Sequence, residues 1–293
     1  MGEGLEEFRK LVGWMRSRLA FEPFVTATDL SRWRESQRYE LRFWATEWNS
    51  ELLRKGTDAV IAHRLEDGRW LLSAMQILFE ASTLESSVFR GEILEVGCGP
   101  VGFFETWPGV QVVGCDPLMA QYAATLSCSH LGARANYLYT DTSVQEISRS
   151  FDFVVFSNVL DHVENWRFVA YHMVRLCKVG GSLLLFTHCR SEPVEGHLQT
   201  FTPGQVRSFL EALGMKVILY EHRPGGDAIE LFLRATRERA FGRSLMGRFA
   251  RELLRSLGQP SWDHEGLASF PASDSQGIKR GKVVSIRCQF GSH

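Results

Sequence analysis

Ile93-Leu94-Glu95-Val96-Gly97-Cys98-Gly99-Pro100-Val101-Gly102 decides how the rest of the chain is read. A short, mostly apolar strand runs directly into glycines spaced Gly-x-Gly-x-x-Gly. A second apolar run, Val110-Gln111-Val112-Val113-Gly114-Cys115, follows and ends at Asp116. Glycine has no Cβ, so such a turn bends sharply and lets a ligand approach the backbone. A carboxylate nineteen positions after Gly97, at the end of the second strand, can accept hydrogen bonds from both hydroxyls of a ribose. Strand, turn and acid together predict a nucleoside site at the edge of a parallel sheet. A tight structural turn beside a surface aspartate is the plainer alternative.

The same arrangement suits a nicotinamide dinucleotide, and the neighbouring residues separate the two ligands. A pyrophosphate prefers a helix N-terminus free of carboxylates, whereas Glu95 stands just before the first glycine. A carboxylate there suits an amino-acid ammonium, directly or through water, and S-adenosylmethionine carries one. Pro100 also removes a backbone donor where a phosphate would need it.

Outward from this turn, short apolar runs alternate with amphipathic stretches, the pattern of a parallel sheet with crossover helices. Strands are predicted near 92–96, 111–115, 136–139, 152–157, 182–187, 216–221 and 229–235, and helices near 102–107, 117–130, 143–149, 164–177 and 203–213. Gly180-Gly181 reads as the turn into the fifth strand, and Gly214 as the end of the helix before the sixth. Only Arg223-Pro224-Gly225-Gly226-Asp227 separates the last two strands, too little for a crossover, so they are expected to pair antiparallel. The expected fold is a seven-stranded, mostly parallel, doubly wound α/β sheet with an antiparallel C-terminal hairpin and an N-terminal helical cap. The expected division is 1–90 as the cap, 91–236 as the core, and 237–293 as a basic helix and tail.

Within 1–90 the text reads as helical. Phe8, Leu11, Val12, Met15 and Leu19 share one face, and Pro23 ends that helix. A second helix, capped by Asp29 or Ser31, carries Trp33, Tyr39, Phe43, Trp44 and Trp48. A third apolar pattern runs from Trp70 to Phe79. Beyond the core, Arg237, Arg239, Arg243, Arg248, Arg251 and Arg255 oppose Phe241, Leu245, Phe249 and Leu253, an amphipathic pattern. Residues 258–277 read as loop or tail, and Val283–Ile286 as a further strand.

Residues 90–236 resemble the class I S-adenosylmethionine-dependent methyltransferases, and several stretches carry the resemblance in order. Glu95-Val96-Gly97-Cys98-Gly99 looks like their first motif, which implies that these residues cradle the methionine part. Asp116 corresponds to their ribose-binding acid, with Pro117 and Leu118 flanking the adenine. In Tyr139-Thr140-Asp141-Thr142, Asp141 would meet the adenine amino group. Phe151–Val163, with Ser157 and Asn158, is similar to the fourth-strand motif. Leu176–Leu183 and His197–Val217 resemble the units that lead into strands five and six. The stretch Phe103–Gly109 departs from the family in being short, which leaves room for a first helix of only a turn or two.

Methyl transfer from a sulfonium is a direct displacement in which alignment carries much of the acceleration. A base matters mainly when the acceptor is a hydroxyl. Asp161 and His162 follow strand four at the ligand-facing edge, and His188 ends strand five there, so these three are the candidates for catalysis. His162 is the first choice of base; capping a helix or packing beside the adenosine is its alternative role. His197 in the next loop, with Tyr39 and Trp44 from the helical cap, is expected to line the acceptor pocket, although an aromatic cluster also serves as plain core. A metal held by Asp161, His162, His188 and His197 is conceivable, but no Cys-x-x-Cys or His-x-x-x-His spacing occurs and no metal is expected.

Composition agrees with an ordinary globular enzyme: 293 residues, 44% hydrophobic and 23% charged, with a net charge of −1 that gives no reason to expect a nucleic-acid or membrane partner. Cys98, Cys115 and Cys189 fall in or beside apolar strands and read as small buried hydrophobes, not as disulfide halves. The acidic start is unlike a signal peptide, and no run is long and apolar enough for a membrane span, so a cytoplasmic location is expected. The function these features predict is methylation of a small-molecule acceptor. A NAD(P)-dependent oxidoreductase and a non-catalytic binding protein on the same core are the alternatives.

Overall fold

The computed structural model describes residues 27–48, 50, 54–125, 137–141, 144 and 146–238. The expected first helix, the arginine-rich helix beyond residue 238, the strand at 283–286 and Thr142 lie outside them. In chain order the elements are α1 (Ala27–Phe43), which continues into a π-helical turn (Trp44–Trp48), α2 (Thr57–Ala74), β1 (Gly91–Val96), β2 (Val110–Cys115), α3 (Met119–Thr125), β3 (Tyr137–Thr140), β4 (Phe151–Ser157), α4 (Trp166–Leu176), β5 (Cys177–Cys189), α5 (Pro203–Ala212), β6 (Met215–Gly225) and β7 (Ala228–Arg237).

The strands form one seven-stranded sheet in the order β3-β2-β1-β4-β5-β7-β6. The first five pair in parallel, while β7 is antiparallel to both β5 and β6. Strand order reverses between β1 and β4, and the crevice above such a reversal is where an open α/β sheet binds ligands.

Period-two alternation gives the sheet two apolar faces. Leu94, Val96, Val154, Phe156, Leu183 and Leu185 pack against α4 and α5 through Met173, Val174, Val206 and Phe209. Ile93, Val112, Phe153, Val155 and Leu184 face α2, α3 and a coil that contributes Phe89, Phe104 and Trp107. Both helices of the first face have defined starts. The Asn165 side chain accepts from the amides of Arg167 and Phe168 at 3.1 Å. Thr202 and Gln205 form a reciprocal capping box, with Pro203 opening α5.

Several expectations are corrected. No helix forms at 102–107: Phe103–Thr106 is a run of turns, because Gly102 to Gly109 is too short to clear the sheet as a helix. Among the described residues of 143–149 there are only turns and coil. The helical text of 1–90 ends at Ala74, and 75–90 is turn and coil that still buries Met75, Ile77 and Phe89. Their burial makes the apolar pattern, which helical periodicity mimics. Gly180-Gly181 does not precede β5 but lies inside it, where the register against β4 shifts. Gly180 has φ +82°, and a Cβ on Gly181 would come within 2.8 Å of the Asp152 carbonyl. Arg237 belongs to β7, not to a basic helix: it is buried and donates to the carbonyls of Arg175 and Cys177. The hairpin is tighter than expected, with Gly225 opposite Ala228 and only Gly226 and Asp227 between.

Candidate functional site

The crevice at the reversal has two sides, one built by the β1–β2 loop and the other by the ends of β4 and β5. On the first side the chain leaves β1 through Gly97 and Gly99, with φ of +65° and +63°. That left-handed backbone favours glycine, and the surroundings require it as well. A Cβ on Gly97 would overlap both methyls of Val159 from the β4 end, and one on Gly99 would lie 2.9 Å from the Trp44 ring.

Two buried carboxylates hold this loop. Asp116 accepts from the Gly99 amide at 3.0 Å and the Leu118 amide at 2.9 Å. Glu95 accepts from the Phe103 amide at 2.9 Å and the Tyr137 hydroxyl at 2.8 Å. Burial pushes the Asp116 carboxyl up to about 6 against the pull of the Leu118 and Gly99 amides. It pushes Glu95 up to about 7 against the Phe103 amide, Arg64 and Tyr137. Glu95 thus lies beneath the loop, with each oxygen already accepting a protein donor. Each carboxylate oxygen has a second lone-pair site, so neither acid is saturated.

Beneath the same loop lies a polar layer that sequence inspection missed. The Tyr139 hydroxyl accepts from the Gly102 amide at 2.9 Å and donates to buried Glu105. Cβ atoms on Gly102 or Gly114 would collide with the Tyr137 ring. Gly102 therefore makes room for a tyrosine, which the spacing of the motif does not reveal.

On the second side, Asp161 is completely buried and its Oδ2 lies 2.6 Å from His197 Nδ1. Thr187 donates to Asp161 Oδ1 at 3.3 Å. The His162 ring lies against that of His197, with centroids 4.2 Å apart, and His162 Nε2 is 3.9 Å from Asp161 Oδ1. Burial would raise the Asp161 carboxyl, but the hydrogen bond from His197 and the charges of His162 and His197 hold it below the usual range. Burial pushes His162 down, opposed by Asp161.

His188 stands apart from this group. Its Nδ1 meets Asn158 Oδ1 at 2.6 Å, and Asn158 has a left-handed φ of 56° where β4 ends. Burial pushes His188 down. Of the four residues considered for a metal, Asp161, His162 and His197 have ligand atoms within 4.8 Å of one another. The 2.6 Å contact between two of them is a hydrogen bond; two ligands each about 2 Å from one ion stand roughly 3 Å or more apart.

The helical segment closes over both sides. Tyr39 packs on Gly196, next to His197, and Ser36 donates to the Gly196 carbonyl at 2.8 Å. Trp44 is buried against Gly99 and edge-on to Tyr122, and its Nε1 donates to Glu40 at 2.8 Å. The charge of Glu40 is felt by Asp116 on one side and by His162 on the other. Glu40 was not foreseen; its only sequence signal is the four-residue spacing to Trp44 on one helix face. Of the remaining expected residues, Cys98 and Leu118 are buried, Ser157 and Asp141 half-buried, and Pro117 and Asn158 exposed. Cys98, Cys115, Cys177 and Cys189 are free and buried. Among the described residues no helix is long and apolar enough to cross a membrane.

Residues 94–185 match the sequence family described as methyltransferase domain. Over 117 residues the chain is 27% identical to the ubiquinone biosynthesis O-methyltransferase of Rickettsia conorii, an alignment that spans 39% of this chain and 40% of that relative's length. Among solved structures it is similar to the N-methyltransferase NodS of Bradyrhizobium japonicum WM9 in complex with S-adenosyl-L-homocysteine, with 20% identity and a TM-score of 0.45 over 59% of this chain and 87% of that one. It is also similar to the magnesium protoporphyrin IX methyltransferase of Synechocystis PCC 6803 with bound S-adenosylmethionine, with 16% identity and a TM-score of 0.40 over 72% of this chain and 92% of that one.

Proposed function

We propose that this chain, whose residues 94–185 match a methyltransferase domain, is an enzyme of the class I, Rossmann-like kind that binds S-adenosylmethionine and methylates a small-molecule acceptor. The observation that carries the reading is the bare backbone at Gly97 and Gly99, tied through the Gly99 amide to a buried acid at the end of the next strand. A loop fixed in that way presents main chain to the amino-acid end of the cofactor, while the free lone pairs of Asp116 serve the ribose hydroxyls. Pro117 and Leu118 flank the adenine, Asp141 meets its edge, and Ser157 and Asn158 border the crevice from β4. Cys98 packs beneath the loop. Glu95 acts on the ammonium by fixing the loop from below. When bound, the cofactor supplies an electrophilic methyl on a neutral-thioether leaving group.

The acceptor enters from the side where Asp161, His162, His188 and His197 gather, between walls formed by Tyr39 and Trp44. This division assigns the helical segment of 1–90 as the cap and 91–236 as the catalytic core. Glu40 places a negative charge between the two sides, which favours a sulfonium over a neutral or anionic ligand. The Rickettsia relative is named an O-methyltransferase and the Bradyrhizobium one an N-methyltransferase, so names leave the acceptor atom open. Titration calorimetry with S-adenosylmethionine and with NADH tests the reading. Saturable binding of the sulfonium alone is expected; binding of NADH alone would transfer the site to the oxidoreductase alternative.

A further inference from the structure

His197 and His162 sit side by side, yet the fold treats them differently. His197 Nδ1 is 2.6 Å from a carboxylate that is fully buried, while the imidazole itself keeps 20% of its side-chain surface exposed. An ionised carboxylate can only accept, so the proton of that contact belongs to Nδ1 and the lone pair of neutral His197 belongs to Nε2. The backbone repeats the connection: the amides of Leu198 and Gln199 both donate to the Asp161 carbonyl, at 2.8 and 3.0 Å. Thr187 fixes the other carboxylate oxygen. His162 makes no such bond to the acid, its Nε2 lying 3.9 Å from Asp161, and is held instead by the neutral backbone of Gly196. His188 is oriented by a neutral amide, which cannot stabilise an imidazolium as a charge does.

We propose that His197 is the general base of the reaction, that Asp161 is its positioning residue, and that the acceptor is a hydroxyl compound. This rests on the methyltransferase reading above and names its substrate class. A neutral amine attacks with its own lone pair and sheds a proton afterwards. A hydroxyl oxygen becomes an effective nucleophile only as its proton is taken, and that is the step an oriented imidazole serves. The balance is complete. A bond forms between the acceptor oxygen and the methyl carbon, the methyl–sulfur bond breaks with its electron pair left on sulfur, and the hydroxyl proton passes to His197 Nε2. The resulting imidazolium is paired with Asp161 and later releases the proton to water.

The test is turnover of methyl-labelled S-adenosylmethionine by the full chain against a panel of phenols, aliphatic alcohols and amines, with mass spectrometry of the product. His197→Asn keeps a donor for buried Asp161 while removing the base. It should lower kcat by a hundredfold or more on the responding hydroxyl acceptor, with donor affinity by calorimetry and acceptor KM changed less than threefold. Asp161→Asn should lower kcat at least tenfold. The kcat–pH profile should show an acid limb that vanishes in His197→Asn and persists in His162→Asn. Asp161, His162 and His188 lie beside the base, Glu40 acts on His162 from α1 and Glu195 pairs with Arg42 nearby at 3.7 Å, so these groups set where the limb falls while its presence depends on His197.

An amine methylated faster than every hydroxyl would overturn the proposal. So would a kcat for His197→Asn within threefold of the parent, or no turnover across the panel by a chain that binds the donor. One equivalent of zinc or iron in the purified protein, lost with His197→Asn, would overturn it in favour of a metal centre. Failure of the parent chain to bind the donor would instead sink the methyltransferase reading itself.

Discussion

The two sides of the crevice each bury an acid, and they treat it in opposite ways. Under the glycine loop, Glu95 and Asp116 accept hydrogen bonds from amides and a phenol, with only the more distant charge of Arg64 helping Glu95, and burial drives both carboxyls up to about 7 and about 6. At the β4 end, Asp161 meets two imidazoles and is held below its usual range although it too is buried. Depth of burial therefore does not decide whether an acid keeps its charge; the charge of its partner does. One side is built as scaffold that holds a backbone, the other as a fixed anion that can back a cation.

The largest change expected on the loop side is Gly97→Ala. It places a Cβ on a left-handed backbone and into Val159, and should lower stability by about 2–4 kcal/mol in urea denaturation, from left-handed strain plus overpacking. Donor binding should be lost together with stability. Asp116→Ala comes next: donor affinity should fall more than tenfold by calorimetry, as expected for loss of hydrogen bonds to a charged group worth about 1.5–3 kcal/mol. An unchanged affinity would remove Asp116 from the site.

A subtler test sets the two acids against each other by pH. The native state holds the Glu95 proton up to about 7 while the unfolded chain loses it near 4.5, so stability should fall as pH rises through that window. Glu95→Gln should flatten that slope. Asp161 carries the reverse sign: its contribution is present above the unfolded value of 3.8 and is lost as pH falls through the lower folded value. Asp161→Asn should remove only that acid-side loss, and equal slopes for the two variants would break the contrast. The smallest effect expected is Trp44→Phe, which deletes the Nε1 bond to Glu40 and should cost about 1 kcal/mol by thermal unfolding.

The core strands, the antiparallel hairpin and the two glycines at the bend were legible because each is a local pattern: apolar runs, turn residues and spacing. What stayed hidden depends on partners distant in sequence. Gly102 and Gly114 are small because Tyr137 lies across both. Met75, Ile77 and Phe79 read as helix because burial against the sheet, not periodicity, selects them. Likewise Asp161, His162 and His197 were each picked from their place at the strand ends, but nothing in the spacing told which histidine the aspartate would take. That choice is made by the loop amides of Leu198 and Gln199.

The place of β7 bears on how the molecule is made. It lies between β5 and β6, and its last residue, Arg237, ties down carbonyls at the end of α4 and the start of β5. A ribosome that has released only the first 220 residues has thus produced a sheet with a bare β5 edge from Ser182 to Cys189, flanked by no partner until the hairpin folds back. The nascent chain carries a sticky border from the emergence of Cys189 until β7 is complete at Arg237, and that interval is when a chaperone would matter most.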